Sequence, residues 1–267
     1  MEKLARGRRD GKGGLSPRSV RHLYTVLSTA LRQAVKWQLI PRNPCEAVEP
    51  PRVERQERPV ADRDRMARML AESRDTWLYM PILLAACCGL RRGEALALRW
   101  EDMDLPAGTL AVRRSASYTR EGGLQFKAPK SSKSRVVSLP TYVVQELRRH
   151  RGRQAETKLL AGPGWQDHGL VVTREDGAPR MPDNLTGAFG NLLARHDLPP
   201  IHFHDLRHSC ATTLLLEGVH VKVVSEMLGH AGIAITMDLY SHVLPSMQED
   251  AARKMDAAIR RAVGDAG

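Results

Sequence analysis

Apolar residues recur at helical spacing in the first strongly patterned segment of the chain, residues 16–39. The positions that form this stripe are Val20, Leu23, Tyr24, Leu27, Ala30, Leu31, Ala34 and Trp37. Ser16 is a favourable N-cap, and Pro17 suits the first turn because it has no N–H to leave unsatisfied. The pattern predicts an amphipathic helix that is ended by Pro41 and Pro44.

The pattern after residue 60 predicts many helices and one small sheet. Helical periodicity places helices at about 61–73, 76–88, 93–99, 141–159, 184–195, 204–216, 221–228 and 247–262. Alternating residues at 109–113 and 135–139 predict two strands, and the basic, glycine-containing stretch 120–134 between them favours a hairpin-like unit. The expected fold class is therefore α+β, with helices in the majority.

A change of composition divides the chain into two predicted domains. Residues 49–59 are rich in proline and charge and offer nothing to bury, which is typical of a linker. Residues 1–48 then form a small helical domain whose start is disordered, because residues 1–14 hold four glycines and no apolar period. Residues 60–267 form the main domain.

The charge balance indicates a polyanionic partner. The 267 residues include 41 Lys or Arg against 30 Asp or Glu, a net charge of +11, with a sequence pI of about 9.9. Residues 1–60 hold thirteen of the basic and six of the acidic residues, so attraction to phosphate is concentrated at the start of the chain. At 42% hydrophobic residues, the chain is also long enough to bury a sizeable core.

Secretion and membrane insertion are not expected from this sequence. No apolar run approaches the roughly 20 residues that span a bilayer, and the N-terminus lacks the hydrophobic centre of a signal peptide. The four cysteines are Cys45, Cys87, Cys88 and Cys210. They form no CxxC pair, so we expect reduced thiols in a cytoplasmic protein rather than disulfides or a zinc site.

The first half of residues 201–243 indicates an anion-binding site. His204 and Arg207 lie three residues apart at the start of a predicted helix, so they share a face. The N-terminus of a helix already favours an anion. Two cationic side chains at that place predict a phosphate clamp.

The second half of this segment adds a histidine and a tyrosine at fixed spacing. Gly229 is expected to end the preceding helix, and that turn fixes the direction of His230. Tyr240 follows ten residues later, in a short helical segment that Thr236 is expected to cap. Each residue taken singly has an ordinary structural explanation, as a core aromatic or a hydrogen-bonded histidine, and only their coincidence favours chemistry.

Two upstream elements add further cations. Arg91 lies in a turn between two predicted helices, and Glu94 is placed to hold its guanidinium by a bidentate pair. A surface ion pair worth under about 1 kcal/mol is the alternative. Lys130 lies in a basic turn before a predicted strand, where Lys127 and Lys133 compete for any role assigned to it.

In this order, the cations, histidines and tyrosine resemble the signature of the tyrosine recombinase family, also called phage-type integrases. GLRRGEALALRWEDMD matches the family's first arginine box, KSSKSR its hairpin lysine, HDLRHSCAT its second box and LGHAGIAITMDLYSHV its closing histidine–tyrosine box. The resemblance spans about residues 16–262. It implies an integrase-type catalytic domain with a small antiparallel sheet, preceded by a partial helical core-binding (SAM-like) domain, of which residues 16–45 resemble only the latter part.

The resemblance also implies a role for each matched residue in cutting DNA. The roles are nucleophile for Tyr240, donors to the phosphate oxygens for Arg91 and Arg207, general acid for Lys130, acid/base or positioning group for His204, phosphate hydrogen bond for His230, and support of Arg91 for Glu94. The product is a 3′-phosphotyrosyl link and a free 5′-hydroxyl. Neither a metal nor ATP is expected, because forked arginines stabilise the transition state and the phosphotyrosyl ester conserves the energy of the broken bond.

The implied partners are double-stranded DNA, a homotetramer on paired DNA sites, and a directionality factor. The helix 246–263 is either the segment that family members exchange between neighbours or an ordinary closing helix packed on its own domain. The implied setting is the nucleoid of a bacterial or phage-infected cytoplasm.

Three alternatives compete with a site-specific recombinase. The first is a truncated, catalytically impaired relative that acts only as a DNA-binding protein, since the core-binding domain is incomplete. The second is a type IB topoisomerase-like enzyme, which relaxes DNA by the same covalent chemistry. The third is a metal-dependent nuclease. The sequence argues against it, because it contains no compact set of Asp and Glu residues of the kind that binds two magnesium ions.

Overall fold

The computed structural model describes residues 14–53, 61–128, 134–230, 232–239 and 244–264. The chain divides into two compact units, Met1–Arg58 and Pro59–Gly267. The predicted disordered tail and most of the predicted linker lie outside the described residues.

The first unit is built on one long helix, α1 (Pro17–Lys36). Its N-terminus is capped as predicted, because the Ser16 hydroxyl accepts the backbone N–H of Ser19 at 3.2 Å. The helix ends at Lys36, before the predicted prolines, and Gln38 takes a left-handed backbone conformation with φ of 59°.

The chain after α1 folds back onto the helix. A 3₁₀ helix, Pro44–Ala47, places the carbonyl of Cys45 where the Tyr24 hydroxyl donates to it at 2.9 Å. The buried amide of Asn43 donates to the carbonyl of Ser28 at 3.1 Å. These bonds satisfy polar groups that the fold-back removes from water.

The second unit is mainly helical, as predicted, with a small amount of sheet. Its helices are α2 (Arg63–Ser73), α3 (Tyr79–Cys88), α4 (Arg92–Ala97), α5 (Thr141–Ala161), α6 (Pro182–Arg195), α7 (Phe203–Leu216), α8 (Val221–Leu228), α9 (Ile233–Leu239) and α10 (Leu244–Gly264). Its strands are β1 (Met103–Asp104), β2 (Thr109–Val112), β3 (Ser115–Thr119), β4 (Gly123–Lys127) and β5 (Arg135–Ser138). Short 3₁₀ helices lie at Trp100–Asp102 and Gly162–Gly164.

The sheet confirms the predicted strand pair and adds elements that the pattern did not predict. Strands β2 and β5 pair antiparallel with Leu110 opposite Val137, and β1 extends this sheet on the other side of β2. The connection between β2 and β5 forms a second antiparallel hairpin, β3–β4, in which Ala116 lies opposite Phe126. The predicted single hairpin is therefore a hairpin inserted within a larger one.

Helix α3 forms the centre of the core. Nearly all of its residues are buried, and Ile82, Leu83 and Leu84 have no exposed surface. A helix that is apolar on every face can be stable only when other elements surround it, and α3 packs against α2, α4, α5 and α7. Its C-terminal end is thereby fixed in the interior, directly before Arg91.

The four cysteines are free thiols. Burial raises the pKa of Cys87 to about 11 and that of Cys210 to about 12, so both stay protonated at neutral pH. Within the described ranges, no helix is both long and apolar enough to cross a membrane.

Candidate active site

The site is built where the C-terminal ends of α3 and α8 meet. Each helix ends at a glycine in the left-handed conformation, Gly89 and Gly229, both with φ of 64°, as the sequence predicted. A Cβ on Gly89 would lie 2.5 Å from Cδ2 of Leu228, so the two ends approach too closely for a side chain there. This contact brings the Arg91 turn beside the His230 turn.

Arg207 ties these two helix ends together from α7. Its side chain is 2% exposed, and Nη1 donates to the carbonyl of Gly89 at 2.5 Å while Nη2 donates to that of Leu228. The start of α7 is fixed by Asp205, whose carboxylate accepts the backbone N–H of His202 at 2.8 Å. The predicted phosphate-clamp arginine therefore lies beneath the meeting point of the helix ends, with its charge buried.

Arg91 and Glu94 form a pair whose geometry differs from the predicted one. One guanidinium N–H of Arg91 donates to Glu94 Oε1 at 2.8 Å, and the other carboxylate oxygen accepts the backbone N–H of Arg91 at 2.9 Å. The predicted bidentate pair of these two side chains is therefore wrong. The reason is that Glu94 is the third residue of α4, so one of its oxygens caps the helix.

The bidentate partner of Glu94 is Arg135, a residue that the sequence analysis did not assign to the site. Its Nη1 and Nη2 donate to the two carboxylate oxygens at 3.0 and 2.6 Å, and its Nε donates to the carbonyl of Met227 at 2.7 Å. Arg135 is the first residue of β5, and 41 residues separate it from Glu94. It is the last residue of the hairpin lysine box KSSKSR, and this place in the box is the one signal that could have drawn attention to it.

The buried carboxylate of Glu94 remains charged because of these partners. Burial alone would raise its pKa, but the hydrogen bond and charge of Arg135, followed by the backbone N–H and charge of Arg91, lower it to about 2. Two guanidinium groups and one carboxylate thus leave one net positive charge in this cluster.

His230 follows the left-handed Gly229, and its ring is held by a hydroxyl. Nδ1 lies 2.8 Å from Oγ1 of Thr236, which is fully buried. Thr236 was expected to cap the next helix, but α9 begins three residues earlier, so that expectation is wrong. With Nδ1 engaged, Nε2 is the ring nitrogen left to bind a ligand.

Several positively charged side chains surround His230 and affect its pKa. Burial and then the charges of Arg207, Arg91, Arg135 and His204, in that order, lower its pKa to about 4. The imidazole is therefore neutral at pH 7 and lies in a positive field. The ring of His204 lies edge-on to His208 with centroids 4.9 Å apart.

The structure thus brings together Arg91, Glu94, His204, Arg207 and His230. Buried cations around a neutral, oriented imidazole suit a bound anion. Lys130 and Tyr240 lie outside the described residues, in the chain between β4 and β5 and in the chain between α9 and α10. Over the part of the chain that the structure describes, no three His, Cys, Asp or Glu side chains are grouped to hold a metal ion.

Comparison with family models and curated proteins gives one consistent result. Residues 60–247 match the model of the phage integrase family. A "tyrosine recombinase XerC-like" protein of Caldanaerobacter subterraneus subsp. tengcongensis is 32% identical over 262 residues, covering 91% of this chain and 67% of that protein. The ICEBs1 integrase of Bacillus subtilis is 29% identical over 247 residues, covering 91% of this chain and 66% of its own length. The chain spans about two thirds of the length of these relatives.

Solved structures show the same fold at low sequence identity. A Tn1549 transposon integrase in complex with circular intermediate DNA superposes with a TM-score of 0.72 at 19% identity, covering 85% of this chain and 76% of that one. A lambda integrase tetramer bound to a Holliday junction gives a TM-score of 0.58 at 18% identity, covering 81% of this chain and 59% of that one. At these identities the likeness concerns the fold.

Proposed function

The chain belongs to the phage integrase family of tyrosine recombinases, and we propose that it cuts and rejoins DNA at specific sites through a 3′-phosphotyrosyl intermediate. The observation that carries the proposal is that Arg91 and Arg207 donate to the carbonyls of Gly229 and Leu228, directly before His230, with His204 close enough for its charge to act on that ring. A phosphodiester needs such a cluster, because negative charge builds on its non-bridging oxygens in the transition state.

In the proposed reaction, the phenol oxygen of Tyr240 attacks the scissile phosphorus, and His204, in its acid/base role, accepts the phenol proton. The bond from phosphorus to the 5′-oxygen breaks, and Lys130 protonates the departing oxygen. A 5′-hydroxyl from a partner strand later attacks the phosphotyrosyl ester, which restores a phosphodiester and releases the phenol. In this second step the proton of the 5′-hydroxyl passes to Lys130 and His204 returns a proton to the phenol, so the two steps balance without a further reactant.

The described residues have distinct proposed roles in that reaction. Arg91, whose side chain is 34% exposed, donates to a non-bridging oxygen, while the buried Arg207 contributes charge from beneath. His230, neutral at pH 7, hydrogen-bonds the phosphate through Nε2. His204, exposed at the start of α7, acts as acid/base or positioning group, and Glu94 orients Arg91.

The proposed partner is double-stranded DNA, bound by a homotetramer on paired sites, with a directionality factor choosing the direction. The tetrameric lambda integrase of the same fold supports the assembly. In α10, the exposed apolar side chains of Met255 and Ile259 support its use as the segment exchanged between neighbours rather than packed on its own domain. We place this activity in the nucleoid of a bacterial or phage-infected cytoplasm, and we assign residues 1–48 to a helical core-binding domain.

A nicked suicide duplex tests the proposal. The duplex carries the site that the protein selects from a random-sequence library by binding, and the nick lets the cleaved strand diffuse away so that the intermediate accumulates. We expect a protein–DNA adduct that resists SDS with the wild type and disappears in Tyr240→Phe. The phenyl ring keeps the size of the side chain but removes the nucleophilic oxygen, so Tyr240→Phe is also the matched control.

The same assay separates the alternatives. Binding without an adduct would contradict the proposal and favour a protein that only occupies recombination sites. An adduct together with relaxation of arbitrary supercoiled plasmid would favour a topoisomerase-like activity. Cleavage abolished by EDTA would favour a metal-dependent nuclease.

A further inference from the structure

Three guanidinium groups bind three consecutive carbonyls at the end of α8. The pairs are Arg135 with Met227 at 2.7 Å, Arg207 with Leu228, and Arg91 with Gly229 at 3.4 Å. The last carbonyls of a helix have no partner within the helix, so side chains can take them. His230 is the next residue, and its position therefore depends on these three bonds.

Arg135 is the member of this trio that also makes a bidentate pair with Glu94. Its side chain is 8% exposed, and it lies so close to Gly229 that a Cβ there would come 2.8 Å from its Cδ. One side chain from β5 thus links the start of α4, through Glu94, to the end of α8, through Met227. These are the two segments that present Arg91 and His230.

The charge balance gives Arg135 a second effect. Glu94 is buried and ionised, and on its own it would neutralise the single charge of Arg91. Because Arg135 supplies a second positive charge to the same carboxylate, the cluster keeps one net positive charge for an incoming anion. Removing Arg135 would leave an Arg91–Glu94 pair with none.

We propose that Arg135 is a positioning residue of the recombination site, which holds the His230 turn through Met227 and keeps Arg91 available to phosphate by pairing with Glu94. This inference rests on the proposed function of the site. It does not make Arg135 a catalytic residue, since its guanidinium is buried and committed to Glu94 and Met227.

The test uses the chain of residues 1–267 and four variants of it. Arg135→Gln removes the charge and the fork, and Arg135→Lys keeps the charge but not the fork. Glu94→Gln combined with Arg135→Gln removes the carboxylate that Arg135 would have neutralised. Arg114→Gln is the matched control, because Arg114 also pairs with a buried carboxylate, that of Asp102, at 2.9 Å.

Three quantities are measured: the single-turnover rate of adduct formation on the suicide duplex, the affinity for intact duplex, and the melting temperature. We expect Arg135→Gln to slow adduct formation by about 10²-fold, the size of effect that follows a misplacement of about 1 Å. The affinity of Arg135→Gln for intact duplex should change by about twofold or less. The rate of adduct formation by Arg114→Gln should also change by about twofold or less. Arg135→Lys should be intermediate, and Glu94→Gln should partly restore the rate of Arg135→Gln.

Titration of the His230 ring by NMR in the DNA-free protein gives a readout that does not require cleavage. The groups around this ring are Arg91, Arg135, His204, Arg207 and the Thr236 hydroxyl. In Arg135→Gln the pKa of His230 should rise, because one of the charges that lower it is lost and the turn is no longer held. In Arg114→Gln it should stay unchanged.

The outcomes distinguish this inference from the proposed function. If the wild type forms no adduct, the proposed function fails, and the His230 titration alone decides the role of Arg135. If the wild type forms the adduct but Arg135→Gln matches it in rate and in His230 pKa, the inference fails alone. Equal losses in rate, affinity and melting temperature for Arg135→Gln and Arg114→Gln would also overturn it, by assigning Arg135 to general stability.

Discussion

Two buried carboxylates in the second unit have similar surroundings but connect very different parts of the chain. Glu94 and Asp102 each have a side chain that is 1% exposed, and each pairs with two arginines. The partners of Asp102, Arg113 and Arg114, are eleven and twelve residues away, next to the strand that follows it. The pair around Asp102 therefore fastens the sheet locally.

The pair around Glu94 extends much further. Arg135 lies 41 residues from Glu94 in the chain. Both arginines that pair with Glu94 also donate to carbonyls at the end of α8: Arg135 to Met227, 92 residues away, and Arg91 to Gly229, 138 residues away. A buried ion pair contributes little net stability by itself, since desolvation offsets the attraction. What distinguishes the arginines of Glu94 is that their spare donors reach a second, distant element, which is the basis of the positioning role proposed for Arg135.

Substitutions in the two regions should differ most in their effect on the rate of adduct formation. Arg91→Ala and Arg207→Ala should each reduce adduct formation by about 10²–10³-fold, since each removes a stabilising charge in the transition state. Arg113→Ala, in the Asp102 region, should leave the rate almost unchanged. Single-turnover cleavage measures the rates, and melting temperatures identify any variant that fails to fold. Equal losses in DNA affinity would show instead that these arginines serve docking.

The second prediction compares the carboxylates by stability. Glu94→Gln leaves the buried Arg135 without its counter-charge, so it should lower the free energy of unfolding by about 3 kcal/mol. Asp102→Asn should lower it by about 1 kcal/mol, because its arginines are 23% and 56% exposed and remain solvated. Urea unfolding at pH 7 measures both. A reversed order would mean that burial of the arginines does not govern the cost.

His230 and Glu94 should also affect stability in different pH ranges. The folded pKa of His230 is about 4 against an ordinary value of 6.5, so the unfolded state binds more protons between these values. Stability should fall as the pH drops from about 6.5 to 4, and His230→Asn should remove this part of the loss. The stabilisation from Glu94 should be lost in a lower window, from about 4.5 to 2. Urea unfolding at several pH values would reject the assignment if His230→Asn changed nothing above pH 4.

The smallest expected effect concerns the hydroxyl that holds His230. Thr236→Val keeps the shape of the buried side chain and removes the bond to Nδ1, which should cost about 0.5–1.5 kcal/mol. If the bond orients the ring for phosphate, the same free energy is added to the activation barrier, and adduct formation becomes several-fold slower. Thr212→Val is the matched control, since Thr212 is also buried, in α7. Equal rates for the two variants would exclude an orienting role.

Local signals in the sequence were sufficient for much of the fold. Gly229 ends α8 at the predicted residue, and the Ser16 cap and the β2–β5 pairing are confirmed. The β3–β4 hairpin was missed because Ser115–Thr119 is mostly polar and buries only Ala116, although two consecutive glycines, Gly122 and Gly123, lie at the turn into β4. Short-range patterns thus predicted elements with a strong apolar period and missed one without it.

The candidate site was predictable in its members but not in its connections. Arg91, His204, Arg207 and His230 each belong to a recognisable box, and the structure places them near one another, while their roles in cleavage stay predictions. Arg135 also belongs to a box, KSSKSR, but nothing near it in sequence indicates that its partners are Glu94 and Met227. These pairings across 41 and 92 residues join α4, β5 and α8, and a linear pattern does not show which elements meet in the fold.

The three arginines at the end of α8 have one more electrostatic consequence. Aligned peptide dipoles give the carboxyl end of a helix about half a unit of negative charge, which repels anions. His230 lies at such an end, where a phosphate would ordinarily be unwelcome. Because guanidinium groups bind the last three carbonyls, the electrostatic potential at this helix end becomes positive, and the end attracts an anion instead of repelling it.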